Sequence, residues 1–173
     1  EDVRAAISES IKKLQSSYKD LSWVQPQNYF FTLKYLGDLT NNSFSAVSKK
    51  VIEAGQNTPP LDLHTNQLGI FPVGGPARSI WVGISDKIGM LDNLIGELES
   101  RLTEDKGSKP HLVVARVPTN NFKGKLEKLA ADTELERLSF LASDVVILNS
   151  VKTKGGVNYE VVAKAPLTAS IAS

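Results

Sequence analysis

The chain has 173 residues, 41% hydrophobic and 23% charged, with 20 basic against 19 acidic side chains and a net charge of +1. That length suits one domain or two small lobes sharing a core, and the balanced charge leaves no global field to announce a nucleic-acid or membrane partner, although a local basic groove stays open. No cysteine is present and the histidines are two, His64 and His111, which excludes disulfides, thiolate chemistry and a histidine-rich metal centre. No apolar run approaches the roughly 18 residues that span a bilayer, and the opening EDVRAA has no signal-peptide character. A soluble protein of the cytoplasm, without metal or cofactor and acting as a monomer, is the expectation.

In chain order, residues 2–18 place Val3, Ile7, Ile11, Leu14 and Tyr18 at helical spacing, an amphipathic helix. Ser22 to Val24 and Tyr29 to Leu36 read as extended, separated by Pro26, which cannot donate to a ladder. Asn41 or Asn42 is placed to cap a second helix carrying Phe44, Val47, Val51 and Ile52, closed by Gly55. Leu61 to Leu63 and Gly69 to Phe71 look like strand pieces, PVGGPAR is a loop, and SIWVGI from Ser79 to Ile84 is a strand. A third helix follows with Ile88, Leu91, Ile95, Leu98 and Leu102 on one face.

The second half continues the alternation. KPHLVVARV is a short apolar strand, Lys123 to Ala131 a helix, Ser143 to Ser150 a strand rich in Val and Ile, and GGVNYEVVAKA a turn feeding another strand. Interleaved helices and strands would suit a doubly wound parallel sheet. No glycine-rich phosphate loop follows any strand, however, and Gly155-Gly156 joins two strands as a hairpin. An α+β fold with antiparallel sheets is therefore expected.

The order of motifs resembles the two-histidine phosphoesterases, and within them the RNA 2',3'-cyclic phosphodiesterases, also called 2'-5' RNA ligases. That family carries two His-x-Thr/Ser motifs. The first stands in a context like P-E-N-x-H-x-T-L-K-F-L-G-E, which Pro26 to Asp38 follows, and the second in P-H-L-T-L-A-R, matched by Pro110 to Arg116. Between them lie a G-x-F-P segment and an R-x-x-W strand, matched by Gly69 to Pro72 and Arg78 to Trp81; Leu148 to Ser150 and Gly156 to Tyr159 match features near the end. The resemblance covers nearly the whole chain. It implies one domain over residues 1–173, built of two pseudo-symmetric lobes around a central cleft, each an antiparallel sheet with helices on its outer face. It also implies hydrolysis of a 2',3'-cyclic phosphate to a 2'-phosphomonoester, with RNA ends or nucleotides carrying that cyclic phosphate as partners.

The departures fall on the chemistry. Phe30 stands where the family has its first catalytic histidine, with Thr32 retained; His111 matches the second, with Val113 in place of the threonine. Opening a cyclic phosphate with water needs a base for the water's proton and an acid for the departing ribose oxygen. Two imidazoles supply both near neutral pH, and hydroxyls two residues later on the same strand face donate to the phosphate as charge builds. By this resemblance His111 is the remaining base, Thr32 a donor, and Arg116 and Lys34 positive charges near the phosphate. Phenylalanine neither gives nor accepts a proton, so the two-histidine route is closed and activity is expected to be weak or absent.

Other features have plainer readings. His64, in LDLHTNQ, lacks the His-x-Thr spacing and reads as a surface strand residue, and Trp81 as core rather than a platform for a base. Lys123, Lys125 and Lys128 form the solvated face of a helix, with RNA phosphates the alternative. The family opens with a strand ahead of the first helix; here either the tail TASIAS, residues 168–173, supplies it in a circularly permuted chain or the chain is truncated with an unrelated tail, and natural and engineered origins are both open. Three functions compete: an impaired RNA 2',3'-cyclic phosphodiesterase, a noncatalytic binder of nucleotides or RNA ends, and a cleft turned apolar by Phe30 and Val113.

Overall fold

The computed structural model describes residues 3–72, 76–102, 110–118, 125–153 and 156–170. The fold is α+β, and the strand pairs whose register is defined are antiparallel. The chain forms two compact units: Glu1–Thr32, His64–Ser85 and Pro110–Phe140 make the first, and Leu33–Leu63, Asp86–Lys109 and Leu141–Ser173 the second.

The first unit opens with α1 (Val3–Ser10) and α2 (Lys12–Ser17), not with one continuous helix. The Ser10 hydroxyl bonds back to the Ala6 carbonyl at 2.9 Å, a contact that bends helices, and Ile11 sits at the break with φ −97° and ψ 3°. Ile7 and Ile11 are nevertheless both buried, as their spacing requires. After β1 (Ser22–Trp23) a 3-10 turn at Pro26–Asn28 carries the chain outward. The expected strand from Tyr29 to Leu36 shrinks to one antiparallel bridge, Phe31 with Leu112.

The expected strand pieces at 61–63 and 69–71 are the two ends of one long strand, β2 (Leu61–Phe71), followed by β3 (Ser79–Asp86) and β4 (His111–Arg116). A further strand, β5 (Ser139–Ala142), completes a five-stranded sheet in the order β1-β4-β3-β2-β5. The motif SFLA is too short to declare itself by alternation. Its approach is fixed at Thr65, whose N–H donates to the Leu138 carbonyl at 2.9 Å while its hydroxyl oxygen accepts from the Leu138 N–H at 2.9 Å. Ile80, Val82 and Ile84 alternate into the core on β3, as do Leu112 and Val114 on β4. One helix, α5 (Lys125–Asp132), follows β4; Lys123 lies outside the described residues.

The second unit contains α3 (Asn41–Gln56), α4 (Met90–Leu102), β6 (Asp144–Thr153) and β7 (Gly156–Pro166). Thr40, one residue before the expected caps, closes the start of α3 by accepting from the Ser43 N–H at 3.3 Å. Asp86 does the same for α4, accepting from the Met90 N–H at 2.6 Å, so that Ile88 precedes the helix and is 74% exposed. Strands β6 and β7 pair over their full length, with a bulge between Ile147 and Leu148; Gly155 of the expected turn lies outside the described residues. Helix α3 packs on both α4 and β7; Arg101 of α4 ties the two helices by pairing with Glu53 of α3 at 3.1 Å, and Glu97 of its own helix holds it at 2.7 Å.

The described residues of the tail, 168–170, form no strand of the kind a circular permutation would call for. The Thr168 N–H donates to the Gly55 carbonyl at 3.3 Å and the Ala169 N–H to the Thr58 carbonyl at 3.2 Å. Thr168 thus meets a carbonyl in the last turn of α3, where free helix carbonyls need donors, and Ala169 one just beyond it; Ile171 and Ala172 lie outside the described residues. No described helix is long and apolar enough to cross a membrane.

This packing can be tested at two positions. A β-carbon at Gly55 would sit 2.9 Å from the Pro166 carbonyl oxygen and 3.3 Å from the Ala165 side chain, so Gly55→Ala, despite favouring a helix, should cost about 1–3 kcal/mol, read as a lower urea midpoint. Tyr29 is 4% exposed and its hydroxyl has no well-formed hydrogen bond among the described residues. Burial pushes its phenol up, and the nearby Ser8 hydroxyl offsets only part of this. Folded chains therefore hold that proton at pH values where unfolded chains lose it, and stability should fall as pH rises above the usual tyrosine value of about 10. Tyr29→Phe should flatten that alkaline slope in urea titrations run across this range.

Candidate functional site

The Phe31–Leu112 bridge sets the site. Leu112 is 5% exposed and faces the core. Neighbours along each strand then point to the opposite face, which puts Phe30 across from Val113 and Thr32 across from His111. Those partners are within about 5.5 Å at their β-carbons by ordinary antiparallel geometry. On the other side of β4 the register continues the same face, with Trp81 opposite Val113 and Gly83 opposite His111. Thr32 is exposed, and Phe30, His111, Val113 and Trp81 are half-buried. The residues singled out from the two motifs share one open face of one sheet.

They also share one compact unit. Phe30, Thr32, His111 and Val113 all belong to the first unit, where Phe31 adds itself to the edge of β4 beside β1. Lys34 falls in the second unit and is half-buried.

Arg116 reaches this face through an irregularity. Ile80 pairs with Ala115 but Trp81 with Val113, leaving Val114 as the extra residue of a bulge. Val114 and Ala115 are both fully buried, so the alternation advances by one and Arg116, opposite Ser79 and Ser22, emerges exposed on the side of Val113. Without the bulge, Arg116 would point at the core.

Trp81 is not the core residue expected. Its indole lies flat over Gly69 of β2, in the space that a β-carbon at 69 would occupy, and meets the His111 ring with centroids 5.7 Å apart and planes tilted by 57°. Gly69 thereby decides where the indole rests, and the indole forms one wall against His111.

His64 is not a surface residue either. It is 7% exposed, and its Nε2 lies 3.0 Å from the Ser85 hydroxyl, which also accepts from the Asn66 side-chain amide at 2.8 Å. Ser85 follows Trp81 and Gly83 on the same face of β3. The signal was present in sequence as His64 and Asn66 two apart on a strand, but their partner on a neighbouring strand was not legible. Among the described residues, no group of three or more His, Asp or Glu side chains gathers to hold a metal ion.

Relatives agree with this architecture. The family described as LigT like Phosphoesterase matches residues 2–81. An RNA 2',3'-cyclic phosphodiesterase of Aquifex aeolicus is 30% identical over 164 residues, covering 90% of this chain and 87% of the relative. Another, of Methanothermobacter thermautotrophicus, is 27% identical over 92% of this chain and 89% of its own. Among solved structures, a protein of Thermus thermophilus superposes with a TM-score of 0.74 at 21% identity, covering 95% of this chain and 91% of the other. Escherichia coli LigT in its complex with 3'-AMP superposes with a TM-score of 0.69 at 19% identity, covering 95% and 93% respectively, and shares the fold. The fold, the order of the motifs and the match along nine-tenths of the chain place this protein in the LigT-like phosphoesterase family of the two-histidine superfamily.

Proposed function

We propose that residues 1–173 act as one domain that binds the 2',3'-cyclic phosphate of an RNA end or nucleotide on the face carrying Phe30, Thr32, His111 and Val113, and hydrolyses it slowly. The observation that carries this reading is the register across β4, which sets position 30 and His111 as diagonal neighbours with Thr32 beside the imidazole. Relatives named RNA 2',3'-cyclic phosphodiesterases support the substrate class, and E. coli LigT, solved with ATP and with 3'-AMP, supports a nucleotide as ligand.

In this reading His111 takes the proton from the attacking water, and Thr32 donates to a phosphate oxygen as negative charge builds there. Arg116, exposed on the same side, supplies positive charge to the phosphate; Lys34 is proposed to do the same. Phe30 occupies the seat from which the departing ribose oxygen would receive its proton. A missing positioned acid costs roughly 10²–10⁴-fold in rate, and Val113 withholds the second hydroxyl. Binding is expected to survive better than turnover, because the phosphate contacts that remain are electrostatic and hydrogen-bonding ones.

A noncatalytic binder of RNA ends is the second reading, favoured by Phe30 itself. Turnover decides between them. Phe30→His should raise hydrolysis of 2',3'-cyclic AMP by roughly 10²-fold or more, Phe30→His with Val113→Thr should raise it further, and His111→Ala should abolish it in every background. A chain that no combination of these substitutions makes faster would leave only binding. That binding should weaken as salt rises if phosphate contacts hold the ligand, and an affinity indifferent to salt would point to an apolar cleft instead.

Gly69→Ala offers a separate check on the wall beside His111. Its β-carbon would displace the Trp81 indole, so ligand affinity should fall even though residue 69 touches no ligand; an unchanged dissociation constant would remove Trp81 from the site.

A further inference from the structure

Along β4 the open face is laid out in successive rows. Thr32 stands beside His111 in the first, and Phe30 beside Val113 in the second. The next row is Ser22, Arg116 and Ser79, register partners across β1, β4 and β3, so all three side chains leave the sheet on the same face. Each serine β-carbon is within about 5.5 Å of that of Arg116 by ordinary antiparallel geometry. Ser22 and Arg116 are exposed and Ser79 is half-buried. The reading above uses Arg116 and gives the two hydroxyls beside it no part.

Arg116 takes part in none of the ion pairs among the described residues. A guanidinium with its five N–H donors, set between two hydroxyls and paired to no carboxylate, suits a phosphate. The order of the rows says which phosphate. The leaving ribose oxygen faces position 30, so the nucleoside extends from the His111 row past the Phe30 row, toward Arg116. A strand advances about 3.3 Å per residue, and the step from Val113 to Arg116 includes the bulge, so the serine row lies roughly 7–10 Å beyond Val113. The terminal ribose of an RNA chain spans such a gap between its cyclic phosphate and the phosphate on its 5' oxygen.

We propose that Ser22 and Ser79, with Arg116 between them, bind the phosphate on the 5' side of the terminal ribose, which makes an RNA end the preferred ligand over a free cyclic mononucleotide. The subsite rests on the reading of this face as a cyclic phosphodiesterase site. Arg116 is long enough to serve both phosphates with different edges of its guanidinium. The serines stand one row further from His111 and serve the second phosphate alone.

The test uses the 2'-phosphate products, which turnover does not consume. Calorimetric titration compares 2'-AMP, adenosine 2',5'-bisphosphate and the dinucleotide ApA carrying a terminal 2'-phosphate. The 5'-phosphate should tighten binding about tenfold or more at low salt, and the dinucleotide, which holds that phosphate as a diester, should gain as much. The slope of log affinity against log salt should steepen by about 0.7 for the added phosphate. Ser22→Ala combined with Ser79→Ala should cut the gain to about threefold or less while leaving 2'-AMP within about twofold of its affinity for the unmodified chain, a selectivity that general loss of folding does not produce. Equal affinity for 2'-AMP and the bisphosphate would overturn the subsite and leave the site reading intact. A gain that survives the double substitution, or one that the dinucleotide does not share, would do the same. If none of the three ligands binds, the phosphodiesterase reading falls and the subsite with it.

Discussion

A single backbone pairing, Phe31 against Leu112, sets which side chains of the two segments share a face. Two segments distant in sequence meet there at the edge of β4, beyond a 3-10 turn that takes the chain out of the sheet and returns it. Because strand side chains alternate with a strict period of two, a shift of one residue would send Thr32 and Phe30 to the core and lift Phe31 onto the open face. The buried Leu112 holds the register, since exposing it would give up on the order of 2 kcal/mol of apolar burial. Geometry at the site is therefore inherited from the core beneath it.

The rest of the face is built by departures from regular structure. The bulge at Val114 turns Arg116 outward while keeping both Val114 and Ala115 buried; a cation at the core would otherwise demand a partner. A glycine at 69 lets the Trp81 indole lie down on β2 and stand against His111. Each device spends local regularity to aim one side chain, which is where strands next to functional sites commonly carry bulges and glycines.

The side chains on this face are asymmetric about His111. His111 is held between an aromatic wall and a hydroxyl-bearing strand, whereas the position diagonal to it on the β1 side is a ring of carbon. On the β2 side, a buried imidazole meets a serine whose other contact is an amide.

Sequence alone determined the class of fold and the family, because both are written in local terms: the hydrophobic periods of helix and strand, and contiguous motifs such as Pro26 to Asp38 and Pro110 to Arg116. It marked Phe30 and Val113 as the departures, since these are read by position within a motif. It misjudged the single helix over 2–18, the isolated strand pieces at 61–63 and 69–71 and the exposure of His64, and it left the course of residues 168–170 open. The helix break rests on the local Ser10 bond to Ala6, but the others depend on partners far along the chain, such as the Ser85 hydroxyl that meets His64 or the Gly55 and Thr58 carbonyls that receive the tail. That Phe30, Thr32, His111 and Val113 fall in one compact unit, that Arg116 faces outward and that His64 reaches Ser85 were decided only by tertiary structure. The physical reason is register, for alternation tells which residues share a face of one strand, and only the pairing of strands tells which faces meet.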